Sequence, residues 1–276
     1  MLLVPHDVLR PRQPDEHFAE EAAAAPVVGL VDHDALAAGD AERAVARVPA
    51  YGEAVVYRGW MLSSFAYAGF AAALATKGLT LRTGAAEYRR AHELPGWYDA
   101  LAAFTPETRW TSGDGRDAFE AARAALGEGP AVLRDYTKSM KHHWDEAAYI
   151  PDLADASRAW KVAQRMRELR DDEFTGGFVL RRFEKFEQAE ARTWWVGGTC
   201  RLVTAHPDTP DDLPPLELPA GLADAVAGLA LPFVTVDLAR RADGVWRVIE
   251  LGDGQVSDRP ATTAAADLVA MALDKN

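Results

Sequence analysis

The sequence predicts an α/β unit on a parallel sheet, followed by a strand-rich α+β unit with antiparallel sheets. Three observations lead there. Over roughly the first 110 residues, short apolar runs alternate with helical stretches. The Gly/Asp-rich Ser112-Gly113-Asp114-Gly115 then punctuates the chain. Beyond it the apolar runs show period-two alternation and tight turns, with few helices between them. We place the two domains at 1–110 and 111–276, sizes that suit ordinary domains.

In the first unit, strands are expected at 2–4, 27–31, 54–57 and 79–82. The second ends in Val31 and the third runs into Arg58-Gly59-Trp60-Met61. Pro14-Asp15-Glu16 opens an alanine-rich helix that Pro26 closes. Further helices are expected from Asp34, over 63–76, and up to about Phe104. Parallel sheets bind ligands beyond the carboxyl ends of their strands, and Arg58 sits at one such end.

In the second unit, a helix at 116–126 leads to a strand at 131–136. That strand feeds Thr137-Lys138-Ser139-Met140-Lys141-His142-His143-Trp144, a cation-dense loop able to fold over polyphosphate. Its plainer alternative is a solvated basic loop. A helix follows at 156–169, then strands at 178–183, 190–196 and 200–204. The first of these carries Arg181-Arg182; the second puts Glu190 and Arg192 on one face. A surface ion pair with Glu184 or Glu190 is the plain reading of Arg181 and Arg192. Helices at 222–229 and 262–273 flank a final hairpin.

That hairpin carries the chemistry. Residues 233–238 and 245–251 both alternate, and Asp243-Gly244 between them favours a two-residue turn. With that turn Ala242 faces Val245, and Asp237 faces Glu250. At about 5 Å and an effective dielectric of about 20, two such carboxylates repel by roughly 3 kcal/mol. Either a hard cation such as Mg²⁺ sits between them, or both point into water. If repulsion dominates, replacing either acid by its amide leaves the fold intact or slightly more stable.

Composition narrows the function classes. A net charge of −12 argues against large non-specific affinity for nucleic acid or anionic membrane. The single cysteine, Cys200, excludes an intramolecular disulfide and suits a reducing, cytoplasmic setting. The first residues lack a signal peptide's basic head and apolar run, and no run is long enough to span a bilayer.

Several stretches resemble the ATP-grasp superfamily in its two-arginine-one-lysine clade. They are GPAVLRDYTKSMKHHWDEAAYI, GGFVLRRF, EARTWWVGG and PFVTVDLARRADGVWRVIELGDGQ. YRGWM, YRRAHELPGWY and TPETRW are similar to that group's N-terminal domain. The resemblance implies a preATP-grasp-like α/β domain followed by an ATP-grasp domain. It implies ATP and Mg²⁺ as cofactors and a carboxylate–amine or carboxylate–thiol ligase working through an acyl phosphate. Its substrates would be a small-molecule or peptide carboxylate and an amine, with no nucleic acid and no membrane. The oligomeric state stays open, a homodimer being one option. A nucleotide-binding module or sensor without ligase activity is the alternative; a metal-dependent phosphodiesterase fits the cationic loop less well.

By the same resemblance, Asp237 and Glu250 match Mg²⁺ ligands. A glycine, Gly252, stands where relatives often carry a third ligand, so Asp253 is expected to replace it. Arg181 and Arg192 match the two arginines, and Lys138 the lysine. Arg134 lies where relatives carry a strand lysine. Lys141, Arg182, Phe183 and Glu190 complete the expected nucleotide site, the backbone at Arg182 and Phe183 reading the base. Arg58 is expected to clamp a substrate carboxylate, and His92 to meet substrate. His142 and His143 are read as loop residues, and Trp60, Trp97 and Trp144 as packing.

Overall fold

The computed structural model describes residues 1–50 and 54–274; residues 275–276 of the expected second domain lie outside the described residues. The first unit is a parallel sheet with helices on both faces. Its elements are β1 (Leu2–Pro5), α1 (Ala19–Ala24), β2 (Val28–Val31), α2 (His33–Ala37), α3 (Ala41–Val45), β3 (Ala54–Tyr57), α4 (Ser64–Thr76) and β4 (Thr80–Leu81). Sheet order is β2-β1-β3-β4. Asp32, Asp40 and Ser63 cap α2, α3 and α4 by accepting from backbone N–H groups. Leu3, Val31, Val55 and Tyr57 face Leu36, Ala44 and Phe70 in one core. Leu2, Val4 and Val56, on the opposite face, pack in another with α1.

Two antiparallel sheets follow. One contains β5 (Thr108–Trp110), β6 (Ala131–Arg134), β7 (Tyr149–Ile150) and β8 (Val179–Arg182), in the order β5-β8-β6-β7. Before it come α5 (Ala85–His92) and α6 (Tyr98–Leu101); within it lie α7 (Arg116–Leu126) and α8 (Ala156–Arg170). Leu133 and Leu180 pack on Phe119 of α7 and Met166 of α8. Strand alternation therefore turns Arg134 and Arg181 to the other face, away from α7 and α8. The expected boundary at 110 falls just after β5, a strand that hydrogen-bonds to β8 rather than to the N-terminal sheet.

The last sheet holds β9 (Phe186–Val196), β10 (Thr199–Ala205), β11 (Phe233–Arg241) and β12 (Trp246–Asp253), in the order β10-β9-β11-β12. Val234, Val236, Leu238 and Leu251 bury one face against α5, α6 and α9 (Leu222–Gly228). The other face carries Trp194, Val196 and Phe233 at one end, packed on β1, β3 and α10 (Ala265–Leu273). The final helix thus returns to the N-terminal unit.

The hairpin β11–β12 reaches the expected pair by another route. Asp237 does face Glu250. Near the turn, however, Arg240 pairs with Trp246 and Leu238 with Val248, one residue out of the expected register. The loop spans three residues rather than two: Arg241 N–H bonds to Val245 O, and Gly244, at φ +88°, closes it. A bulge at Ile249 then restores the register before Asp237.

Candidate active site

The site lies where the two antiparallel sheets face each other. From the last sheet, Arg192, Asp237 and Glu250 stand in one row across β9, β11 and β12. From the other sheet come Arg134 and Arg181, diagonal neighbours on β6 and β8. Four cations converge on Glu250. Arg134 Nη1 lies 3.6 Å from its carboxylate. Burial alone would raise the pKa of Glu250, but Arg134, Lys138, Arg181 and Arg192 hold it below the ordinary range. Its side chain is 38% accessible, so it opens onto the cleft.

Arg181 is the least satisfied group here. Its Nη1 donates to Ile249 O at 2.6 Å, so the bulge residue receives an arginine from the opposite sheet. Its Nε and Nη2 are buried without a hydrogen-bond partner. Burial brings the guanidinium down to about 9, Arg134 adding to the fall and Glu250 opposing it. It is still cationic at neutral pH. Buried unpartnered donors are costly and rare, and two on one cation mark a place for an anion.

Arg192 is fully engaged. Its Nε and Nη2 bond to the two oxygens of Asp237 at 2.8 and 2.9 Å, and its Nη1 to Asp258 O at 2.8 Å. His206 Nε2 lies 3.2 Å from the same Nη2. Burial first, then the charge of Arg192, keeps that imidazole below the usual histidine range. Glu190, two residues from Arg192 on the same face, is raised to about 7, by burial and then by Asp237 and Glu250.

Asp135 organises the cation loop. It accepts from Thr137 N and Lys138 N, both at 2.7 Å, and from Arg170 Nε at 2.9 Å. Lys138 is exposed at the cleft mouth. Desolvation, with Arg134, Arg170 and Arg192 nearby, depresses its ammonium despite Glu250. Lys141 instead pairs with Asp208, tying this loop to the one after β10. His92 faces the same electrostatic centre; burial drives it down to about 4, against the pull of Glu250.

Four expected site residues stand elsewhere. Asp253 is three residues from Glu250 and so on the opposite face of β12, buried against Gln255. Among the described residues no three His, Cys, Asp or Glu side chains gather as a metal site, in keeping with that separation. Arg58 is buried and engaged: Glu21 takes two of its bonds, at 2.7 and 2.9 Å, and Gly254 O and Ser257 O take others. It pins the N-terminal unit to the turn after β12. Arg182 lies on the helix side of β8, donating to Leu126 O and Glu128 O at the end of α7. The backbone N–H of Arg182 bonds to Glu107 O and that of Phe183 to Pro130 O, so these two donors are engaged within the protein. The Phe183 ring packs on Tyr149 with Trp144 nearby. His206 and Asp258 were missed. Each lies past a strand end and meets Arg192 through tertiary pairing alone, which no local pattern signals.

The sequence profile of the ATP-grasp domain, family 3 of the two-arginine-one-lysine clade, matches residues 125–272. The chain belongs to this ATP-grasp family. No curated protein matches the sequence. Among solved structures, the RimK domain protein ATP-grasp from Sphaerobacter thermophilus is similar at a TM-score of 0.62 and 18% identity, covering 99% of this chain and 98% of its own. D-cycloserine synthetase DcsG is similar at a TM-score of 0.58 and 17% identity, covering 97% of each. The ATP-grasp ligase PsnB, complexed with Mg and ADP and a phosphomimetic variant of its minimal precursor, has a TM-score of 0.54 at 12% identity, covering 99% of this chain and 96% of that one. These likenesses are of fold. ATP-grasp membership also accounts for the two facing antiparallel sheets.

Proposed function

We propose that this chain is a Mg²⁺–ATP-dependent ligase that phosphorylates a carboxylate and joins it to an amine or thiol. The observation carrying this reading is Arg181, with two buried, unpartnered donors in a cleft of converging cations. A nucleotide's terminal phosphates supply the acceptors that guanidinium lacks. The carboxylates of the paired residues Asp237 and Glu250 are of the kind that suits Mg²⁺, which when bound would neutralise charge on the phosphates.

The chain's own residues then have distinct tasks. Arg181 and Lys138 hold the γ-phosphate, and Arg134 keeps Glu250 in place. Arg192 gives up at least one oxygen of Asp237 before that carboxylate can serve a metal. So released, it can meet charge that grows on the transferring phosphoryl. A carboxylate oxygen of the substrate attacks the γ-phosphorus and ADP leaves. The amine then attacks the acyl carbon and orthophosphate leaves. Glu190, held near 7, is the group on this face suited to take the amine's proton. The loop at 137–144, tied to Asp208, is the segment suited to close over the acyl phosphate. Solved neighbours include a synthetase of a small molecule and a ligase complexed with a precursor peptide, which supports a small molecule or peptide as substrate.

The closed Arg192–Asp237 pair would equally suit a nucleotide-binding module without ligase activity. Turnover separates the two. With ¹⁸O in the acid's carboxylate, the ligase should release ADP and labelled orthophosphate in equal amounts. AMP and pyrophosphate, or product formed with unlabelled phosphate, would contradict the acyl-phosphate route.

A further inference from the structure

The N-terminal unit places an unusual apolar segment beside the charged cleft. Trp60 is 41% exposed, Met61 37% and Phe65 85%. They sit within six residues that begin just past the carboxyl end of β3. The sheet order β2-β1-β3-β4 makes the β1/β3 junction a switch point, because the chain leaves β1 to one side and reaches β3 on the other. Open α/β sheets bind ligands at such junctions.

One chain of contacts ties this segment to the proposed active site, and a second leads to a histidine that senses its charges. At one end the Trp60 ring packs at a tilt of 38° on His17, ring centroids 4.5 Å apart. His17 Nε2 lies 2.8 Å from Asp258 Oδ1, and Asp258 O receives Arg192. At the other end Leu62 exchanges hydrogen bonds with Tyr88 Oη. Tyr88 stacks on His92, centroids 5.1 Å apart, and His92 lies within the electrostatic field of Glu250 and Lys138. The exposed aromatic and thioether side chains thus lie on a segment whose two ends lead, residue by residue, to groups of the catalytic face. Three large apolar side chains left open within six residues, beside a charged cleft, suit an apolar ligand group.

We infer that Trp60, Met61 and Phe65 form a specificity wall for a substrate whose reacting end bears an aromatic or branched aliphatic side chain, such as an apolar amino acid or peptide terminus. This rests on the ligase reading above. The charged row takes the carboxylate and amine; the wall takes the side chain. A protein partner is a less fitting occupant, because both ends of the segment are continuous with the cleft.

The test uses the full chain with Mg²⁺ and ATP. Binding of L-phenylalanine, L-leucine, L-serine and L-glutamate is followed by saturation-transfer NMR, and the same compounds and their dipeptides are screened for ADP release. The apolar members should bind, and support ADP release, at least about tenfold better than serine or glutamate, as differential burial of a large apolar side chain allows. Trp60→Ala and Phe65→Ser should raise KM for apolar substrates about tenfold, with kcat and ATP affinity nearly unchanged. Polar substrates should be untouched by either variant. Equal use of polar and apolar compounds, binding of none of them, or equal losses for both classes in the variants would overturn the wall. ADP release restricted to polar substrates would overturn it while leaving the ligase reading standing. Failure to bind Mg²⁺–ATP, with apolar binding retained, would instead remove the ligase reading.

Discussion

Adjacent arginines on β8 have opposite jobs. Arg181 faces the cleft with two donors unpartnered, whereas Arg182 ties β8 to the end of α7. Arg181→Ala should leave Tm unchanged or slightly raised, because it removes unsatisfied buried donors. It should lower kcat/KM by at least about 100-fold, the scale of a lost transition-state donor. Arg182→Ala should do the reverse, lowering Tm while ATP affinity stays within about twofold. Thermal denaturation and titration with nucleotide on both variants check the contrast. Asp253 gives a pH signature. Burial raises it to about 7, and one of its oxygens is buried without a partner. Between about pH 4 and 7 the unfolded chain has lost this proton while the folded chain keeps it. The group's contribution to stability therefore falls as pH rises through that window. Asp253→Asn should match the parent near pH 4 and exceed it at pH 8, by about 2–4 °C in Tm for each kcal/mol relieved. A constant difference across pH would contradict the assignment.

At the scale of elements, strand pairing reverses one expectation. Read from the hairpin alone, Asp237 and Glu250 repel, and an amide at either position should relieve strain. The hairpin's third neighbour changes the sign. Strand β9 sets Arg192 directly opposite Asp237, and the two form a buried bidentate pair. Removing one partner of such a pair is strongly destabilising, about 3–5 kcal/mol. Because an amide keeps one acceptor, Asp237→Asn should cost somewhat less, about 2–3 kcal/mol, seen as a lower Tm without nucleotide. Glu250→Gln, at a more open site, should cost less again. Much of the fold is local and was legible: β3 and α7 fall at the expected residues, and α4 and α8 within one residue at an end. The β5 strand was not, because three residues beside a Gly/Asp-rich stretch carry no period. The Asp237–Glu250 pairing emerged from a turn one residue too short and a bulge that added the residue back. Strand parity already separated Asp253 from Glu250 in the sequence, while the engagement of Arg58 by Glu21 required the tertiary fold.

At the scale of the molecule, three sheets divide the labour. The N-terminal unit carries the proposed apolar wall, in the connection after β3 and the start of α4, and is clamped to the last sheet by Arg58, Glu21 and the returning α10. The two antiparallel sheets face each other with opposite endowments: Arg134 and Arg181 on one, Asp237 and Glu250 on the other. A chain of net charge −12 thus concentrates cations in one cleft, where an anionic nucleotide meets both them and the paired acids. The central claim is that this cleft is a Mg²⁺–ATP site. Calorimetric titration of the intact chain with a non-hydrolysable ATP analogue, with and without Mg²⁺, tests it most directly. The account predicts tight binding with Mg²⁺, at least about tenfold weaker binding without it, and loss of that Mg²⁺ dependence in Glu250→Gln. Equal affinity with and without Mg²⁺, or unaltered Mg²⁺ dependence in the variant, would contradict it.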